Sequence, residues 1–259
     1  MVITSDIKQQ ILNNIPSVQV VSHSDYYRHD VIKGVTDNEL IGIELGVAGG
    51  DYSQRMVASK KFKKFYGVDL YEDHHNTDEY KKALRYVGLD NNFVLLRMSF
   101  DEALDLFDDN YFDFIYVDGY AHTGEEGGKT FQDWYRKLKT GGVFAGDDYH
   151  QDWPLVMWAV NDMISQLDCE LHITGQREDT NLNRYPSWFF KKPKDREFST
   201  NPELKQVGQL MRQATRKASE GAVYSRNELL DLNEREMNRD PQYTVELIDF
   251  IQKRLSQRP

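Results

Sequence analysis

Four aspartates of this chain stand directly after short apolar runs. Asp69 follows Phe65-Tyr66-Gly67-Val68. Asp118 follows the run from Phe112 to Val117, and Asp147 and Asp148 follow the run from Gly141 to Gly146. Runs this short and apolar read as strands buried on both faces. In a parallel sheet the ends of such strands share one edge, the edge where ligands bind. Asp118, Asp147 and Asp148 then converge despite their separation in sequence. Three carboxylates in one pocket repel, so they need a cation or raised pKa values. Their hard oxygens suit Mg²⁺, Mn²⁺ or Ca²⁺ rather than zinc. The alternative is a solvated turn at Asp147-Asp148, with Asp118 capping the next helix.

A glycine-rich turn occupies the same kind of position. The strand Leu40 to Leu45, which carries Glu44, runs into Gly46-Val47-Ala48-Gly49-Gly50-Asp51-Tyr52-Ser53. A helix starting near Asp51, with the Asp51 side chain accepting first-turn N–H bonds, would aim main-chain donors at a ligand above the strand end. Glycine supplies positive φ and close approach. Asp69 comes about 20 residues after this turn, where an α/β nucleotide site places the acid for ribose hydroxyls. The spacing is not the G-x-G-x-x-G of a dinucleotide site, which disfavours a nicotinamide oxidoreductase.

The elements that must position these residues alternate from about residue 39. Strands are expected at 40–45, 65–70, 93–98, 112–117 and 142–146, and helices near 51–61, 78–87, 101–107 and 124–138. This order predicts a doubly wound, mostly parallel α/β sheet. A helix over 155–167 and strands over 170–174 and 187–191 follow. Residues 6–15 suggest a short amphipathic helix stopped by Pro16, and 193–202 read as a linker. Beyond it, Leu204, Val207, Leu210 and Met211 suggest one helical stripe, and Leu247, Ile248, Ile251 and Leu255 a second. The division is 1–38 as an N-terminal helical or lid segment, 39–192 as the ligand-binding domain, and 193–259 as a helical extension that packs on the domain or on a second subunit, making a homo-oligomer.

With these residues in view, Glu44-x-Gly46-x-x-Gly49-Gly50 resembles motif I of the class I S-adenosylmethionine (SAM) methyltransferases. Val117-Asp118-Gly119, His122 and Leu138-Lys139-Thr140-Gly141-Gly142-Val143-Phe144-Ala145-Gly146-Asp147-Asp148-Tyr149 resemble the metal-dependent sugar O-methyltransferases of the macrocin and novobiocin type. The likeness spans roughly residues 38–192. It implies a Rossmann-like seven-stranded sheet with its last strand reversed, and SAM held by Glu44, Gly46, Gly49, Gly50, Ser53, Asp69, Ser99 and Asp118. Ser99 would lie beside the adenine. Asp118, Asp147 and Asp148 would hold Mg²⁺ or Mn²⁺, which would chelate and acidify the acceptor hydroxyl. The family usually reads Asp-Gly-Asp-His-Ser-Tyr, its second Asp serving as base; here Tyr120 stands in that place. His122 is the replacement base, since an unperturbed pKa near ~6.5 suits proton abstraction at neutral pH. Asp118 supports it, and His150 is a weaker candidate. Tyr26 to His29 are expected to form a substrate lid, and Tyr149, Trp153 and Trp188 to stand near the site entrance.

The expected activity is therefore O-methylation of a sugar or sugar-containing small molecule. The alternatives are a catechol- or flavonoid-type O-methyltransferase and a non-catalytic SAM-binding partner protein. Composition agrees. The 259 residues are 39% hydrophobic and 12% aromatic, which suits a folded core, and carry a net charge of −10. That charge disfavours nucleic acid, whose phosphates demand basic surface. Cys169 is the only cysteine, so neither an intrachain disulfide nor a thiolate zinc cluster forms. No run approaches the ~18 apolar residues of a membrane span, and no signal pattern opens the chain. The expectation is a soluble, cytoplasmic protein.

Overall fold

The computed structural model describes residues 9, 11–33, 35, 37–72, 76–119, 127–177 and 183–208. Among them, eight strands form one sheet: β1 (Val20–His23), β2 (Leu40–Leu45), β3 (Phe62–Val68), β4 (Phe93–Leu96), β5 (Phe112–Val117), β6 (Leu138–Gly146), β7 (Leu171–Thr174) and β8 (Trp188–Lys191). Their order across the sheet is β1-β7-β8-β6-β5-β2-β3-β4. All pairs are parallel except those of β8, which runs against β6 and β7. The doubly wound, mostly parallel Rossmann-like sheet and its reversed final strand are thus present. Helices α1 (Asp51–Ala58), α2 (Thr77–Ala83), α3 (Phe100–Leu104), α4 (Lys129–Lys137) and α5 (Pro154–Leu167) flank it.

The central strands β2 and β5 are mostly apolar and buried because helices cover both faces. Side chains of successive strand residues point to opposite faces. Phe114 and Tyr116 accordingly join one buried cluster, with Tyr52 and Met56 of α1 and with Val31 and Ile32. Ile115 and Val117 join the other, with Phe100 of α3, Trp134 of α4 and Trp158 of α5. From β2 the chain winds outward through β3 to β4, then returns to β5 on the other side of β2. The crevice between the ends of β2 and β5 is therefore the switch point at which open α/β sheets bind ligands.

The sheet has one strand more than the seven expected. β1 is short and only partly buried, so period and hydrophobicity do not announce it. It exists because β7 offers an open edge, with Val20 to His23 in register with Leu171 to Thr174. Strand β3 begins at Phe62 rather than residue 65, and β6 at Leu138 rather than 142; in each, a buried apolar first residue is separated from the expected run by polar residues or glycine. The expected 193–202 linker packs against the domain. Phe198 is buried, its carbonyl accepts from Gln132, and the Arg196 carbonyl accepts from the Tyr135 hydroxyl. Leu204 and Val207 are buried in the main core. Residues 209–259, including Leu210, Met211 and the second helical stripe, lie outside the described residues, as do residues 6–8 and 10 of the expected 6–15 helix; residues 11–13 are helical, with Ile11 buried in the main core. Among the described residues no helix is long and apolar enough to cross a membrane.

Candidate active site

Main-chain bonding continues one residue beyond each central strand. Asp69 N–H donates to Leu96 O at 3.1 Å, Gly46 N–H to Val68 O at 2.8 Å, Asp118 N–H to Leu45 O at 2.8 Å and Asp147 N–H to Val117 O at 3.1 Å. Asp69, Gly46, Asp118 and Asp147 therefore stand in a row along the C-terminal edge, on β3, β2, β5 and β6. The convergence expected of the strand-end residues is met.

The glycines of the turn are required chiefly by the protein itself. Gly46 has φ +97°, and a Cβ there would lie 1.6 Å from the main-chain oxygen of Asp118. Its lack of a side chain lets the β2 turn nest against the β5 turn. A Cβ on Gly49 would meet Lys82 at 2.7 Å, and one on Gly50 the Ala83 backbone at 3.1 Å, so both make room for α2. Gly50, in the left-handed region, caps α1, with no side chain bonded at the cap. Asp51 is thus not the capping acceptor. It is the first helical residue, and its carboxylate pairs with Lys82 at 3.2 Å.

Asp69 holds this turn from below. Its Oδ2 accepts from Val47 N–H at 3.0 Å and Ala48 N–H at 2.9 Å, and its Oδ1 from Tyr71 N–H at 3.1 Å. Both carboxylate oxygens thus organise the loop, in addition to any ribose they meet. Asp69→Ala is expected to free three main-chain N–H groups, of Val47, Ala48 and Tyr71, and weaken SAM affinity by about 1.5–3 kcal/mol, the scale of a hydrogen bond to a charged group. Titration calorimetry, with a thermal melt of the same sample, checks it. Unchanged SAM affinity despite a lowered melting temperature would assign Asp69 to stability alone.

Glu44 and Ser53 are both buried, and the Ser53 hydroxyl donates to the Glu44 carboxyl. Burial pushes the Glu44 pKa well up, with Ser53 and Arg28 opposing. Ser53 thus lies beneath the turn as a partner of Glu44. Ser99 has a different task. Its hydroxyl accepts from Glu102 N–H at 3.2 Å, and Glu102 Oε2 accepts from Ser99 N–H at 2.8 Å. This capping box starts α3, and Ser-x-x-Glu was legible in the sequence as such.

The main departure concerns the carboxylate cluster. Asp118 and Asp147 do come together, and the cation between them is Arg28. Its Nη2 lies 2.5 Å from Asp118 Oδ2 and its Nη1 3.2 Å from Asp147 Oδ2. The guanidinium carbon sits 5.0 Å from the Tyr52 ring centroid and 5.4 Å from that of Tyr116. Burial opposes the Arg28 charge, but Asp147, Tyr116 and Asp118 outweigh it and hold it protonated. Asp147 also accepts from Ser187 Oγ at 2.9 Å, whose oxygen lies 2.9 Å from the Tyr116 hydroxyl. Burial pushes the Asp147 carboxyl up to about 7, Arg28 pulling it down and Asp118 and Asp148 adding to the rise. An ion-paired aspartate would ordinarily titrate low; here burial and two like charges win. Asp148 is buried, with φ +61°.

The expected Mg²⁺ or Mn²⁺ site at Asp118, Asp147 and Asp148 is corrected accordingly. Oxygen ligands of these ions lie ~2.0–2.6 Å from the metal, and an ion bridging Asp118 and Asp147 would collide with the guanidinium already bridging them. Among the described residues no group of three His, Cys, Asp or Glu side chains is arranged to hold a metal. Arg28 lies in the segment expected as a lid. Nothing in its spacing singles it out; only the charge balance of the cluster demands a cation.

His122, the expected base, and Tyr120 lie outside the described residues. His150 is turned to its own loop, its Nδ1 3.1 Å from Asp152 N–H. Tyr149 and Trp188 are core residues rather than entrance groups: the Tyr149 hydroxyl donates to Asn161 Oδ1 at 2.8 Å, and Trp188 packs on Phe131. Trp153 is half-buried against Tyr185.

Residues 43–149 match the family model of a methyltransferase domain. No curated protein matches the chain. Among solved structures, spermidine synthase from Thermotoga maritima is similar with a TM-score of 0.50 and 18% identity, over 70% of this chain and 64% of that one. A spermidine synthase bound to the transition-state analogue AdoDATO gives 0.50 and 18%, over 66% and 61%. A SAM-dependent methyltransferase from Mesorhizobium loti gives 0.35 and 22%, over 42% and 47%. The chain thus spans less than two thirds of the length of each. The spermidine synthases are alike in fold alone; the likeness that bears on use is the match of residues 43–149 to a methyltransferase domain.

Proposed function

We propose that the protein transfers a methyl group from SAM to a hydroxyl of a sugar or sugar-containing small molecule. The observation that supports this most is the row of Gly46, Asp69, Asp118 and Asp147 along one sheet edge, inside the matched domain. Bound SAM supplies an electrophilic methyl carbon on a sulfonium. The turn at Gly46, Gly49 and Gly50, held by Asp69, and the acids Glu44 and Asp118 would receive it. Ser53 would act through Glu44, and Ser99 through the start of α3. The Arg28 Nε and the Tyr52 hydroxyl are buried and have no hydrogen-bond partner among the described residues. Unsatisfied groups of this kind cost about 1–3 kcal/mol each, which a bound polar ligand offsets.

The chain's work is alignment, water exclusion and proton removal. Toward that methyl group these residues would align the acceptor hydroxyl, exclude water and pass the hydroxyl proton to a base. His122 is the proposed base, and Asp147, with its carboxyl near neutrality, is the group described in place that could take over. No metal enters this scheme. A small-molecule acceptor agrees with the −10 net charge, which repels nucleic acid.

Incubation with methyl-labelled SAM and a panel of sugars, glycosides, catechols and polyamines tests the reading. Label recovered as a sugar methyl ether is the expected result. Label only on catechol oxygen or on an amine would replace the acceptor class, and absence of SAM binding by calorimetry would overturn the donor.

A further inference from the structure

Arg28 is fastened from several sides. Its main-chain N–H donates to Asn183 Oδ1 at 2.8 Å. Asn183 is buried, and its amide in turn donates to the carbonyls of Gly175 at 3.1 Å and Tyr26 at 3.3 Å. Just ahead, β1 is zipped to β7. Just behind, Val31 and Ile32 are buried in the cluster that contains Tyr52 and Tyr116. The guanidinium gives one terminal nitrogen to each carboxylate, while both aromatic rings line its flank. This is a seated side chain, not one drawn in from the surface by charge alone.

We propose that Arg28 is the resident cation of this site, standing where the sequence resemblance implies a divalent metal, and that it fixes Asp118 and Asp147 in position without one. The role of the two carboxylates rests on the methyltransferase reading; the pairing itself does not. One guanidinium N–H donates to Asp118 and the other terminal nitrogen is ion-paired with Asp147, so a single planar cation meets the charge of both carboxylates. A dication on the same oxygens would face a buried like charge at contact distance, so guanidinium and metal exclude one another. Arg28 is a positioning residue, supplied from outside residues 43–149.

The test uses the full chain, stripped with EDTA and dialysed, then titrated with Mn²⁺ alone and followed by the electron paramagnetic resonance of the free ion. Wild type is expected to show no Mn²⁺ binding that Asp147→Asn removes. Arg28→Ala is expected to gain a site tighter than any in wild type by on the order of tenfold or more, lost again in Arg28→Ala/Asp147→Asn. Arg28→Lys, which keeps the charge, is expected to titrate like wild type. Stoichiometric Mn²⁺ binding by wild type that Asp147→Asn abolishes would overturn the proposal, even if Arg28→Ala fails to fold. So would a folded Arg28→Ala that binds Mn²⁺ no better than wild type. SAM affinity is measured on the same samples. Loss of SAM binding throughout, wild type included, would sink the methyltransferase reading and leave the Mn²⁺ result standing.

Discussion

Gly46→Val is expected to abolish SAM binding and to destabilise the fold by about 3 kcal/mol or more, through overpacking against main chain together with backbone strain. Even the first atom of a side chain at this position would fall 1.6 Å from the Asp118 carbonyl oxygen, at a φ of +97° that valine resists. Main chain on both sides is tied into the sheet, by Gly46 N–H to Val68 O and Asp118 N–H to Leu45 O. Neither turn yields without breaking the row that would hold the ligand. Thermal melts give the stability loss, and calorimetry below the lowered melting temperature gives the affinity. A folded Gly46→Val with wild-type SAM affinity would remove the turn from the cofactor site.

His122→Ala is expected to lower kcat by roughly 10²–10⁴, the usual contribution of a positioned base, with little change in SAM affinity. The rate should rise with pH through the histidine titration and lose that rise in the variant. Near-normal kcat in His122→Ala would pass the proton to Asp147. Burial, opposed by Arg28 and reinforced by Asp118 and Asp148, brings that carboxyl to about 7. A carboxyl there is a base above that pH and inert below it, so the rate again climbs through neutrality. The loss would then appear in Asp147→Asn. Near-normal turnover in both variants would exclude them together.

Strand positions and strand-end acids were legible because apolar runs and terminal aspartates are local signals. β2, β5 and α5 lie within a residue of expectation for that reason. β1 was not legible: an edge strand with partial burial carries little hydrophobic signature and depends on β7 for its partner. The charge argument was sound in form. A crowded carboxylate cluster requires a cation or raised pKa values, and both are present, in Arg28 and in Asp147. What sequence could not convey was the source of the cation, since the pairing of residue 28 with 118 and 147 is a product of the tertiary fold. The roles of Ser53 and Gly49 were hidden similarly, their neighbours Glu44 and Lys82 being brought to them by the packing of α1 on β2 and of α2 on the turn.

The seating of Arg28 bears on portability. The span recognisable as a methyltransferase domain contains Asp118 and Asp147, but not Arg28, Asn183 or Ser187, which neutralise, clamp and hydrogen-bond them. Excised or grafted into another chain, residues 43–149 would carry a pair of facing acids with no counter-charge. A module cut at the limits of its family likeness would be an electrostatically open circuit, closed only by the flanks. Any minimal catalytic fragment therefore has to begin upstream of β1 and run past β8.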